Sequence, residues 1–326
     1  MPLSPLPPPS SAELFWQKYK FYLLLTLLSL LWLSYLGQFD QEWTRWLREN
    51  RSDQFGKWMG RTLFEGSLPG GSDPAILFFL ASLLLYFISW KSNAAERLKE
   101  WRPFLGFIIT TTIVGGLGFV HCLKWIIGRA RPHLVWDKQW PFSEWYEFGP
   151  HYIAEGVYRG SFPSGHTAVV LVPMLLSLIW LTDYKYRKPQ LAIFWAIGCI
   201  MLAVSMAVAR SMSGHHWISD SLGIFGPVIL IAYWVYFDFL KIPQQRAYFR
   251  RNKKLPEMPR FWELKLCGWG CFAILGLICW FWGLRSVQLQ TVPFLLGLAP
   301  VGAILMTWGF MRIQRLYSGL FDWMHR

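Results

Sequence analysis

The length of the apolar runs most constrains what this chain can fold into. Eight stretches read as spanning segments: roughly Phe21–Leu36, Pro74–Trp90, Pro103–Trp125, His166–Leu181, Leu191–Ala209, Ile218–Leu240, Leu266–Leu284 and Val292–Met311. A bilayer core about 30 Å thick takes about 20 helical residues to cross. Backbone polar groups within it must be paired inside the segment. The expected fold is therefore all-α, a polytopic membrane helix bundle. The first and fourth runs are short and need flanking polar turns to complete a crossing. Hydrophobic residues make up 54% of the chain and charged residues 16%. Their arrangement in blocks speaks against one large soluble core.

Charge sets the expected orientation. The net charge of +13 would suggest nucleic acid in a soluble protein. Here the basic residues crowd between apolar runs, in Lys91–Arg102, Lys185–Lys188 and Lys241–Lys265, while the stretch after the seventh run has only Arg285. Alternating basic loops are what the positive-inside rule produces, so no nucleic-acid partner is expected. Both termini then fall in the cytoplasm, and Lys124–Gly160 and Arg210–Asp220 fall on the other face. The 21 Trp residues, many at run edges, suit a membrane–water interface.

The connecting segments carry their own expectations. Gln38–Ser72 reads as an external, amphipathic interfacial helix ended by Pro69-Gly70-Gly71. Residues 133–162 are irregular and rich in aromatics, among them Trp136, Trp140, Trp145, Tyr146, Phe148, Tyr152, Tyr158 and Phe162. They suit either a binding lid or an interfacial cap. Arg246–Lys265 reads as a cytoplasmic basic segment beside anionic headgroups. The N-terminus is Pro- and Ser-rich through Ser11, and the first run is expected to be a retained anchor. The five Cys residues lie in or beside apolar runs without a CxxC pair, so they read as small buried hydrophobes.

Three short clusters at the ends of these runs carry chemistry. They are Lys124 with Arg131-Pro132, Pro163-Ser164-Gly165-His166, and Arg210 with His216 and Asp220. A phosphate monoester carries about two negative charges. Lys124, Arg131 and Arg210 can hold them, the two arginines with planar forks matched to phosphate oxygens. Lys124 and Arg131 stand two helical turns apart, which predicts one shared face with Pro132 ending the helix. Ser164 and Gly165 open a helix, where a hydroxyl and free N–H groups can meet an anion and His166 can supply a proton. His216 and Asp220 are spaced to share a helical face, with the carboxylate fixing the tautomer so that Nε2 can attack. Arg129 reads as a headgroup or loop contact. His215 is expected to face elsewhere. His121 reads as a satisfied polar contact, His133 as a possible substrate contact, and His151 and His325 have no support for a role. No carboxylate-rich surround suggests a metal site.

These clusters resemble, in residue identity and order, the three signature motifs of the type 2 phosphatidic acid phosphatase (PAP2) superfamily, with the resemblance covering roughly Pro74–Leu240. The resemblance implies a six-helix core, with His216 as nucleophile forming a phosphohistidine. It also implies that Asp220 orients His216, and that His166 protonates the departing alkoxide and then activates water. Lys124, Arg131, Ser164, Gly165 and Arg210 would bind the phosphoryl oxygens, with no metal or other cofactor. The chain departs from the pattern at Ala209, where the superfamily usually has Ser; tuning rather than loss of activity is expected.

The expected organisation is an N-terminal cytoplasmic segment (1–20), a transmembrane catalytic core (21–244) with the external helix at about 38–72, and a basic segment plus two-helix membrane extension (245–326). The expected partners are the bilayer and a phosphorylated membrane lipid. Candidate substrates implied by the resemblance include phosphatidic acid, phosphatidylglycerol phosphate, polyprenyl diphosphate and lipid A phosphates. The leading expectation is a lipid phosphatase of the bacterial inner membrane with a periplasmic active site. A lipid-to-lipid phosphotransferase shares the first half-reaction, and a catalytically silent lipid-binding or transport protein is a third reading. The pocket pattern is also shared with vanadate-dependent haloperoxidases, a use that a polytopic membrane chain disfavours. Substrate identity and oligomeric state stay open.

Overall fold

The computed structural model describes residues 11–59, 74–147, 159–289 and 293–324. Pro69-Gly70-Gly71, Phe148, Tyr152, Tyr158, His151 and His325 lie outside the described residues. Among the described residues the regular structure is helical, with no strand. The helices are α1 (Ser11–Gln38), α2 (Asp40–Glu49), α3 (Asp53–Lys57), α4 (Pro74–Ser89), α5 (Glu96–Thr111), α6 (Val120–Ile127), α7 (Pro132–Asp137), α8 (Gly165–Val170), α9 (Leu175–Thr182), α10 (Pro189–Met212), α11 (Ile218–Leu222), α12 (Phe225–Trp234), α13 (Ile242–Asn252), α14 (Trp262–Leu289) and α15 (Leu298–Ser318).

Among the described residues, seven helical stretches are long and apolar enough to cross a membrane. The expected second crossing, α4, has 16 residues and stays below that length. At 1.5 Å per residue it reaches roughly 24 Å. Large apolar side chains face outward along the crossings, for example Leu24 and Leu28 on α1, Phe194 on α10 and Ile304 on α15. Phe194 is 76% exposed, which suits lipid and not water. The chain is an integral membrane helix bundle.

One element organises the bundle. The helix begun by α5 does not end at Thr111 but runs through a π-helical stretch, Thr112–Phe119, into α6. At one end of it Glu100 is buried, and at the other Lys124 is buried. Two apolar clusters pack along it. Phe104, Phe107, Ile108, Leu175, Ile179, Tyr236 and Trp262 fill the Glu100 end. Val120, Ala168, Leu171, Met206 and Ile224 fill the Lys124 end. The last two long helices, α14 and α15, form a close hairpin. A Cβ on Gly302 would sit 2.2 Å from the backbone N of Trp280, so this contact requires glycine. The Trp282 indole then donates to the Trp125 carbonyl at 2.7 Å and fastens the hairpin to α6.

At the Glu100 end the sixth crossing stops at Lys241, whose φ of 51° is left-handed, and α13 turns away. Arg246 of α13 is fully enclosed. It donates to Asp183 Oδ2 at 2.7 Å and to Glu100 Oε1 at 2.9 Å. Lys185 reaches the same Glu100 at 2.6 Å from a half-exposed position. Burying a charge is tolerable only when it is paired and hydrogen-bonded. Arg246→Ala is therefore expected to destabilise the protein by about 3–5 kcal/mol. Lys185→Ala, which loses a solvent-screened pair, is expected to lose only about 0–1 kcal/mol. Thermal unfolding in detergent checks the order.

Candidate active site

The site begins with a helix stop. Gly128 adopts φ 62°, and its N–H bonds back to the Lys124 carbonyl, closing α6 at Ile127. This left-handed cap suits glycine, which has no Cβ penalty there. Arg131 then takes an extended conformation as the cap of α7, and Pro132 is the first residue of that helix. The expectation of one helix carrying both Lys124 and Arg131 is thus corrected. Pro132 starts a helix instead of ending one, because its fixed φ suits a first turn. The two cations still converge, since both line one cavity of about 760 Å³.

That cavity gathers most of the expected residues. Lys124, Arg131, Gly165, His166, Arg210 and His216 all line it. Ser164 and Asp220 stand behind its wall, fully buried. Ser164 caps α8: its Oγ accepts the Thr167 N–H at 3.4 Å and the Thr167 hydroxyl at 3.1 Å. Its own N–H donates to the Asp220 carbonyl at 2.8 Å, which ties the second motif to the third. Ala209, where the superfamily pattern has Ser, lies in the cavity wall. His215 also lines the cavity, contrary to the expectation that it faces elsewhere. Its N–H bonds the Arg210 carbonyl at 3.1 Å after the turn at Gly214, whose φ is 69°. His133 spends its Nδ1 on the Gly214 carbonyl at 2.8 Å and is not in the cavity lining. His121 is in it, and accepts from the Arg159 guanidinium at 3.4 Å.

His216 and Asp220 do not share a helical face. His216 precedes α11, and Asp220 is the third residue of that helix. There Asp220 Oδ2 accepts the Trp217 N–H at 2.9 Å. His216 Nδ1 lies 3.7 Å from that same oxygen. At this distance the two are in contact without a direct hydrogen bond. The contact leaves Nδ1 turned toward the carboxylate.

What holds Asp220 is a residue given no motif role. Arg129, fully buried, donates from Nη1 to Asp220 Oδ1 at 2.8 Å and to Ser219 Oγ at 2.9 Å. Its Nη2 donates to Asp40 Oδ2 at 2.8 Å, and its Nε to the Ser143 carbonyl at 2.8 Å. Asp40 in turn accepts the Ser219 N–H at 2.8 Å. Arg129 is thus no headgroup contact: a side chain 0% exposed among protein partners cannot reach lipid. The signal for it lay in Asp40 and Asp220. Two carboxylates destined for burial need a shared fork, and Arg supplies one in two directions.

Burial holds the His216 imidazole well below the usual histidine value, and the nearby Lys124 charge pushes the same way. His215 is pushed down to about 4 by burial and by Arg210 and Arg131. Both rings are therefore neutral near pH 7, the form in which an imidazole is nucleophilic. Among the described residues no three His, Cys, Asp or Glu side chains cluster as metal ligands.

Residues 101–243 match the family model of the PAP2 superfamily. That span holds most of the α5–α6 helix and every residue of the three clusters. No curated protein and no solved structure matches the chain.

Two predictions follow from the buried charges. Arg129→Ala leaves Asp40 and Asp220 without their shared cation and is expected to cost about 3–5 kcal/mol of stability. Arg129→Lys is expected not to restore it, because one ammonium cannot fork to both acids; thermal melts of the two variants decide this. The second concerns pH. An unfolded histidine takes a proton near pH 6.5 while folded His216 and His215 refuse it. Their contribution to stability is complete above that value. It falls as pH drops from about 6.5 toward 4, by up to about 1.4 kcal/mol per pH unit for each ring. Thermal midpoints across pH 5–8 should show this slope, and His216→Gln should reduce it.

Proposed function

We propose that the protein is a membrane phosphatase that hydrolyses lipid phosphate monoesters or diphosphates through a phosphohistidine on His216. The observation that carries this reading is the convergence of Lys124, Arg131, His166, Arg210 and His216 on one cavity, with Asp220 behind His216. In this reading the three cations grip the phosphoryl oxygens, where charge builds in the transition state. The Asp220 contact at Nδ1 leaves Nε2 to attack phosphorus. The bond to the leaving oxygen breaks, and His166 gives that oxygen a proton. His166 then takes a proton from water, whose oxygen attacks phosphorus, releases phosphate and regenerates His216. Gly165 lets the backbone approach the anion, while Ser164 acts through its cap and its link to Asp220. The chemistry asks for no metal.

A lipid substrate suits a polar cavity at the end of a helix bundle whose outer faces are apolar. The alternation of basic loops supports an active site on the non-cytoplasmic face, with both termini in the cytoplasm; a bacterial inner membrane is the setting proposed. The test is phosphate release by purified protein from a panel of lipid monophosphates and diphosphates in EDTA. His216→Ala is expected to lower release by a factor of about 10³ or more, the scale seen when a catalytic nucleophile is removed. Equal release by both proteins would reject the nucleophile.

A further inference from the structure

The cavity holds more positive charge than one phosphate needs. Its inner cations are Lys124, Arg131 and Arg210; Arg159 lines the same cavity, as do Lys57 and Arg51, the latter paired with Asp53. Arg159 belongs to none of the three clusters. Yet the two residues that follow it are bonded to the backbone of the first cluster's segment. The next residue, Gly160, donates to the Lys124 carbonyl at 3.0 Å, and Ser161 donates to the Arg129 carbonyl at 2.8 Å. In return the Lys124 ammonium donates to the carbonyls of Gly160 at 3.2 Å and Ser161 at 2.8 Å. A Cβ at Gly160 would lie 2.4 Å from the Arg129 backbone N, so only glycine permits this approach. Arg159 is thereby pinned beside the phosphate-binding lysine.

Its side chain is poised for an anion it does not have. One guanidinium nitrogen donates to His121 Nε2 at 3.4 Å, while Nε is buried with no hydrogen-bond partner in the protein. Burial and the neighbouring Arg131 charge hold its pKa below the usual arginine value, so like charges crowd here. An arginine nevertheless stays protonated. A buried, charged donor left unpaired is costly unless a ligand completes it. The buried acids Asp220 and Asp40 are already engaged by Arg129.

We propose that Arg159, steadied by His121, forms a second phosphate subsite and selects lipid diphosphates over monophosphates. This rests on the phosphatase reading above. The terminal phosphoryl group would lie among Lys124, Arg131 and Arg210, and the lipid-linked phosphate against Arg159. His216 Nε2 bonds to the terminal phosphorus as the bond from that phosphorus to the bridging oxygen breaks. The electron pair goes to the bridging oxygen, which leaves as part of a lipid monophosphate. Arg159 faces the charge that develops there, and His166 supplies the proton where one is taken up. Water then cleaves the phosphohistidine to inorganic phosphate. A cavity of about 760 Å³ is roomy enough for two phosphoryl groups and the start of a chain.

The experiment uses the full chain in detergent with farnesyl diphosphate and farnesyl monophosphate. Wild type should favour the diphosphate, and Arg159→Gln should cut the diphosphate-to-monophosphate ratio of kcat/KM by about tenfold or more, the value of one charge-assisted contact. Arg159→Lys should recover part of the ratio. A ratio unmoved by Arg159→Gln overturns the subsite. Should that variant fail to fold, inhibition of wild type decides: inorganic pyrophosphate should inhibit about tenfold more strongly than orthophosphate for the same reason. Equal inhibition overturns the proposal. His216→Ala in the same assay separates the two ideas. If it is inactive while the Arg159→Gln ratio holds, the subsite alone falls; if it keeps wild-type release, the nucleophile falls and the subsite with it.

Discussion

A single guanidinium holds this site together. Arg129 bonds Asp40 from the helix that follows the first crossing and Asp220 from the helix that follows His216. Three stretches far apart in sequence meet at that side chain. Around it the backbone closes further: Thr44 accepts the Ile218 N–H at 3.2 Å, and Trp217 donates from its indole to the Ala130 carbonyl at 2.7 Å. The fold thus positions Asp220 from behind before any substrate arrives, the preorganisation that an electrostatic site requires.

The same economy appears at Lys124. Its ammonium spends two donors on carbonyls of residues 160 and 161, which fixes its direction. An ammonium has three donors, so one remains for the cavity. Two hydrogens hold the ammonium in place, and in the proposed reading the third meets the phosphoryl group.

Much of this was legible in the chain. The apolar runs gave the helical membrane class because a bilayer leaves few alternatives, and the charged clusters at their ends supply most of the polar lining of one cavity, where such groups are expensive. The failures have physical causes. A spacing of seven suggested a common helix for Lys124 and Arg131, but Gly128 between them takes a left-handed conformation and breaks it. The spacing of His216 and Asp220 suggested a helical face, where the structure uses the turn into α11 with Asp220 capping Trp217. Arg129 was passed over because a buried arginine looks like any loop arginine until its two distant acids are known. His215 was set aside on periodicity that does not apply ahead of a helix start.

The wide stretch Thr112–Phe119 sits between the apolar seam of α5 and the lysine of α6. A turn that closes on the fifth residue holds more chain than one closing on the fourth. Everything after it is rotated about the axis relative to everything before. The two segments of the rod are therefore offset in phase. Adding or deleting one residue within that swelling would swing Lys124 around the circumference while Phe104 and Phe107 stayed in register with their neighbours. A lineage could re-aim its anion grip in this way without rebuilding the scaffold that carries it.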